Sequence, residues 1–87
     1  MKEITMFYLS DCPYCRQAFK LIEELTEEYP ELAAVPIRRI EERQQSALAE
    51  QYDYWYVPSL FLGSEKLHEG VPTKAKIEQA LRRALEG

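Results

Sequence analysis

Histidine, cysteine and glycine are scarce in this 87-residue chain, with one, two and three copies. A structural zinc site needs four cysteine or histidine ligands, so Cys12, Cys15 and His68 fall short of one within a single chain and no metal is expected. No apolar run approaches the roughly 18–20 residues of a membrane-spanning helix. The opening MKEITMFYLSDC lacks the apolar stretch of roughly 7–15 residues found in a signal peptide, because acidic residues interrupt it early. A basic stripe is also missing. Eleven Lys and Arg face fifteen Asp and Glu, a net charge of −4, which argues against nucleic acid and anionic membranes as partners. The pairs Arg38-Arg39 and Arg82-Arg83 stand among glutamates and read as solvated surface. With no repeat, low-complexity tract or linker, residues 1–87 read as one domain. As written the chain reads as cytoplasmic, where a cysteine pair is more often catalytic or metal-binding than a lasting structural staple.

What is present falls into an ordered series. Residues 2–9, KEITMFYL, read as a strand buried on both faces. From Pro13 the period becomes helical, with Ala18, Leu21, Ile22 and Leu25 on one face and Glu23, Glu24, Glu27 and Glu28 on the other. Pro30 ends that helix near Glu28 or Tyr29. Val35 to Glu41 predicts a second strand, and Arg43 to Tyr52 a second helix with Ala47, Leu48 and Tyr52 as its apolar face. Val57 to Leu62 reads as a strand, Gly63-Ser64 as a turn and Lys66 to Glu69 as a hairpin partner. Thr73 is the expected N-cap of a last helix whose buried stripe is Ile77, Ala80, Leu81, Ala84 and Leu85. The order β-α-β-α-β-β-α predicts an α/β fold, a mixed four-stranded sheet with helices on both faces.

Both cysteines lie in the stretch LSDCPYCRQ. With Cys12 as helix cap and Cys15 in the first turn, the sulfurs project near one another, and the spacing suits the roughly 4.4–6.8 Å Cα separation of a disulfide. Pro13 fits the first helical position, where a missing N–H costs nothing. There Cys12 faces unpaired N–H groups and the positive end of the helix dipole, both favouring thiolate. Arg16, one turn on, adds a favourable charge, whereas Asp11 would oppose it if turned inward and is expected to face water. Cys15, deeper in the helix, is expected to stay protonated until needed. That asymmetry suits exchange in two steps, attack by Cys12 on a disulfide and displacement by Cys15. A purely structural disulfide would close too small a loop to constrain the unfolded chain.

The second landmark is YVPSLFL. A proline is unwelcome inside a central strand, so Pro58 stands at its beginning, and by base rate its bond would be trans. Part of the preceding cluster Tyr52, Tyr54, Trp55 and Tyr56 is expected in the core, since a Trp in so small a protein rarely stays fully exposed. Tyr56 suits either the core or the rim of a shallow groove, and Tyr14 suits the rim.

Strand, CPYC, helix and a later Val-Pro opening a strand together resemble the glutaredoxin branch of the thioredoxin superfamily, along essentially the whole chain. The resemblance implies a thioredoxin-like fold and a dithiol oxidoreductase with Cys12 as nucleophile and Cys15 as resolving thiol. It implies a cis Pro58 beside the cysteines, with the Val57 backbone pairing to an incoming peptide or glutathione. Partners would be disulfide-containing proteins or small molecules, and glutathione or a thioredoxin-reductase-like reductant. No resident cofactor and a monomer are expected. An alternative use of such a module is a 2Fe–2S cluster held between two subunits by Cys12 and glutathione. The sequence departs from the glutaredoxin pattern at Leu9, where a lysine is usual, and at His68-Glu69, near the usual Gly-Gly. Glu69 would bring negative charge toward glutathione's carboxylates. The tail HEGVPTKAKIEQAL is more like thioredoxin, so weak or altered glutathione recognition is expected.

Overall fold

The computed structural model describes residues 2–87. Strand β1 (Ile4–Tyr8) is central, parallel to β2 (Ile37–Glu41) and antiparallel to β3 (Ser59–Leu62). β3 forms a hairpin with β4 (Glu65–Glu69), giving the sheet order β2-β1-β3-β4. Gly63 turns that hairpin at φ 61°, a left-handed conformation glycine adopts without steric cost.

Alternation along the strands sorts side chains between two unequal faces. Ile4, Met6, Leu60 and Leu62 point to one side. They meet Ala18, Ile22 and Leu25 of helix α1 (Pro13–Glu28) and Ile77, Ala80, Leu81 and Ala84 of helix α3 (Lys74–Glu86). Phe7 and Phe61 point to the other side and meet Ile40, Ala49, Tyr52 and Tyr54. The Thr73 hydroxyl caps α3 by accepting from the Lys76 N–H at 3.2 Å. No helix among the described residues is long and apolar enough to cross a membrane.

One element is not foreseen in the sequence, and several expected boundaries change. Pro30–Ala34 forms a 3-10 helix that buries Leu32 against the α1–α3 side. The second strand starts at Ile37 rather than Val35, and the third at Ser59 rather than Val57. The helix expected over Arg43 to Tyr52 shrinks to α2 (Ser46–Ala49), and Ala49 rather than Ala47 is its buried residue. Residues 42–45 form a turn instead, in which the Glu41 carboxylate accepts from the Arg43 and Gln44 N–H groups at 2.7 and 3.4 Å.

Candidate active site

β1 delivers the chain to a short loop, and α1 begins immediately after it. Cys12 is the N-cap of α1 in extended conformation, with Pro13 in the first turn. The Cys15 N–H donates to the Cys12 Sγ at 3.4 Å, so sulfur serves as the capping acceptor at the positive helix end. Cys12 is half-buried and Cys15 is buried, and both are free thiols. Burial, foremost, pushes the Cys15 thiol up to about 12; a hydrogen bond from the Leu9 backbone opposes this, and the neighbouring Cys12 adds to it. Cys15 is held protonated as expected, and the main cause is its burial.

Asp11 turns outward as expected, and its carboxylate pairs with the Arg43 guanidinium at 2.9 Å. The residues behind this arrangement, Glu41 and Arg43, carry no signal in the sequence, because they stand over thirty positions from the loop they hold. The side chain of Glu41, 6% exposed, accepts from the Ser10 N–H at 3.1 Å and from the Arg43 guanidinium at 3.3 Å. Arg16 is exposed. The Ser10 N–H, foremost, and the Arg43 contacts hold the Glu41 carboxyl at about 2, below its ordinary value. A depressed carboxylate stabilises the fold above the unfolded-state value and loses that contribution as pH falls through the folded value. Chain stability should therefore drop between about pH 4.5 and 2. Urea midpoints across that window check this, and Glu41→Gln is expected to flatten the slope; an unchanged slope would count against the role of Glu41.

Opposite Cys12 stands the segment before β3. The Val57–Pro58 peptide is cis, and the Val57 carbonyl lies 4.0 Å from the Cys12 Sγ. Pro58 is fully buried. Tyr14, Tyr56, Val57, Gly70 and Val71 line an apolar groove of about 290 Å³ beside this point. A larger hollow of about 390 Å³ around Tyr52 and Tyr54 holds neither cysteine.

The aromatic cluster divides cleanly. Tyr52 and Tyr54 pack on Phe7 with ring centroids 4.7 and 4.9 Å away. Trp55 is 85% exposed and Tyr56 is 70% exposed, so the Trp departs from its expected burial and Tyr56 goes to the groove. Glu69 stands at the end of β4. Its carboxylate turns to the backbone N–H groups of Trp55 and Tyr56 and to the Lys66 ammonium.

A parallel β2–β1 pair at one edge of the sheet, a hairpin at the other, a Cys-Pro-Tyr-Cys helix start and a cis-proline alongside define a thioredoxin-like protein. The profile of the thioredoxin domain matches residues 2–82, and the chain belongs to that family. It is 28% identical over 83 residues to a thioredoxin of Methanocaldococcus jannaschii, covering 95% of each chain. Among solved structures it is similar to a mutant thioredoxin from Halobacterium salinarum, with TM-score 0.68 and 22% identity over 95% of this chain and 74% of that one. It is also similar to a malarial protein, with TM-score 0.69 and 13% identity over 95% and 96% of the two chains. These two likenesses concern the fold.

Proposed function

We propose that the chain is a dithiol thiol–disulfide oxidoreductase acting on peptide or protein disulfides, with Cys12 as nucleophile and Cys15 as resolving thiol. The observation that carries this reading is the Cys12 sulfur at the head of α1, facing the Val57 carbonyl, with the Cys15 N–H behind it. In the first step the Cys12 sulfur, as thiolate, bonds to one substrate sulfur while the substrate S–S bond breaks, and the departing sulfur takes up a proton. In the second, Cys15 loses its proton and bonds to Cys12 while the mixed disulfide breaks, releasing the other substrate thiol. The substrate gains two electrons and two protons, and the two cysteines become a disulfide. A dithiol reductant then restores them.

The buried thiol is suited to its late role. Burial is the chief reason for its raised value, and the hydrogen bond and charge of Cys12 add to it. Once Cys12 is tied up in the mixed disulfide, those two contributions vanish and Cys15 becomes easier to ionise when its attack is required.

The apolar groove beside Val57 suits an extended segment flanking a substrate cystine, held by short strand-like pairing to the Val57 backbone. The CPYC tetrapeptide is of glutaredoxin type, but Leu9 and His68-Glu69 leave the glutathione side of that resemblance weak. Recharging by a thioredoxin-reductase-like enzyme is therefore favoured over recharging by glutathione. The test reduces insulin disulfides with each reductant in turn. Turnover with a dithiol reductase and little with millimolar glutathione is expected, and efficient glutathione-driven turnover would overturn the preference.

A further inference from the structure

Glu69 ends β4 at the far side of the groove from the cysteines' helix, and its carboxylate is spent entirely on neighbours within the fold. Oε2 accepts from the Trp55 N–H, and from the Tyr56 N–H at 2.9 Å. Oε1 takes the Lys66 Nζ at 2.8 Å. The next residue extends the same tie, because the Gly70 N–H donates to the Pro58 carbonyl at 2.9 Å. From the other side the Ser59 hydroxyl donates to the Tyr56 carbonyl. The segment Trp55–Pro58 belongs to neither a helix nor a strand. Its outer side chains, Trp55 and Tyr56, are largely exposed, so packing does little to hold them.

We propose that Glu69 is a positioning residue that pre-orders the Trp55–Val57 backbone for substrate pairing, an inference that rests on the exchange reading above. A free loop of this kind loses backbone entropy when a substrate orders it. Glu69 settles that loss before binding. Two N–H groups on successive residues are held by one oxygen, which fixes the peptide plane between Trp55 and Tyr56. Val57, whose carbonyl faces Cys12, comes next in the chain. The carboxyl is held at about 2, chiefly by Lys66 and then by the two backbone N–H groups, so the acceptor stays charged at any working pH. Gly70 follows Glu69 in the chain. It sits at φ 86°, and a Cβ there would meet the Tyr56 Cβ at 4.0 Å, so the β4 end lies directly against the segment that it holds.

The test compares the full chain with Glu69→Ala and Glu69→Gln. In Glu69→Ala the Trp55 and Tyr56 amides are expected to exchange with solvent about tenfold faster by NMR, while amides of β1 and β3 keep their protection. KM for an insulin-derived peptide disulfide is expected to rise about five- to tenfold with kcat little changed. Glu69→Gln retains an acceptor oxygen and should recover part of both effects. Alkylation of Cys12 by iodoacetamide, a reagent too small to need the segment, should keep its rate. Unchanged amide exchange in Glu69→Ala would overturn the proposal. So would a fall in kcat and alkylation together at constant KM, or a Gln variant no better than Ala. If the parent chain reduces no peptide disulfide, the exchange reading fails by itself, and amide exchange still decides whether Glu69 holds the segment.

Discussion

Cys12→Ser is expected to abolish reduction of insulin disulfides, a loss of about 10³-fold or more, the scale on which removing a catalytic nucleophile acts. A serine hydroxyl at the same N-cap accepts the Cys15 N–H as well as sulfur does, so the helix start should survive. What disappears is an ionisable, polarisable nucleophile able to bond to sulfur. Cys15→Ser should behave differently. Its Cys12 still attacks, but no thiol follows to displace the product, and a mixed disulfide accumulates. Intact-mass spectrometry after mixing with an oxidised peptide reads this directly as one peptide added per chain. Folding is controlled by circular dichroism of both variants. Persistent turnover in Cys12→Ser would sink the exchange mechanism, and trapping on Cys15 in that variant would reverse the assigned roles.

Phe7→Ala is the substitution expected to cost the most stability, about 3–5 kcal/mol. Phe7 has no solvent exposure and lies at the centre of the smaller face of the sheet. Its ring stacks on Tyr54 at 4.9 Å, meets Tyr52 at 4.7 Å and stands edge-on to Phe61 at 6.0 Å. Neither tyrosine can collapse into the vacated space freely. The Tyr54 hydroxyl donates to Glu42 at 2.6 Å, and both rings are fixed to a loop. At roughly 0.05–0.15 kcal/mol per residue the whole chain commands about 4–13 kcal/mol, so the loss takes a large share of it. A fall in melting temperature of at least about 12 °C follows from about 4–8 °C per kcal/mol for a chain of this size. Val57 packs on the same cluster, so KM for peptide disulfides should rise in the fraction that stays folded. A urea-measured loss below about 1 kcal/mol would contradict this account of the smaller face.

Much of the frame is legible along the chain because its signals are local. Ala18, Ile22 and Leu25 recur at helical spacing, and the structure buries all three on α1. Ile77, Ala80, Leu81 and Ala84 do the same for α3, which starts after the expected Thr73 cap. Cys12, Pro13 and Cys15 carry their own geometry, since a cap and a first turn are made by neighbours. α2 shows where local reasoning gives out. Its residues favour helix, yet residues 42–45 form a turn that the Glu41 carboxylate at the end of β2 ties through the Arg43 and Gln44 N–H groups. The aromatic cluster gives the same lesson. Ring size suggested burial for Trp55, but the Phe7–Phe61 surface accommodates Tyr52 and Tyr54, and Trp55 is left outside.

The order of elements, the two helix stripes and the paired thiols at a helix start were determined by the sequence itself, because periodicity, capping and proline geometry act over a few neighbouring residues. The tertiary structure alone decided that Glu41 would hold the Ser10 loop, that Glu69 would hold the backbone at Trp55 and Tyr56, and which aromatics would line the groove. A carboxylate finds its N–H partners only after the sheet brings distant segments together, and no spacing along the chain encodes that meeting.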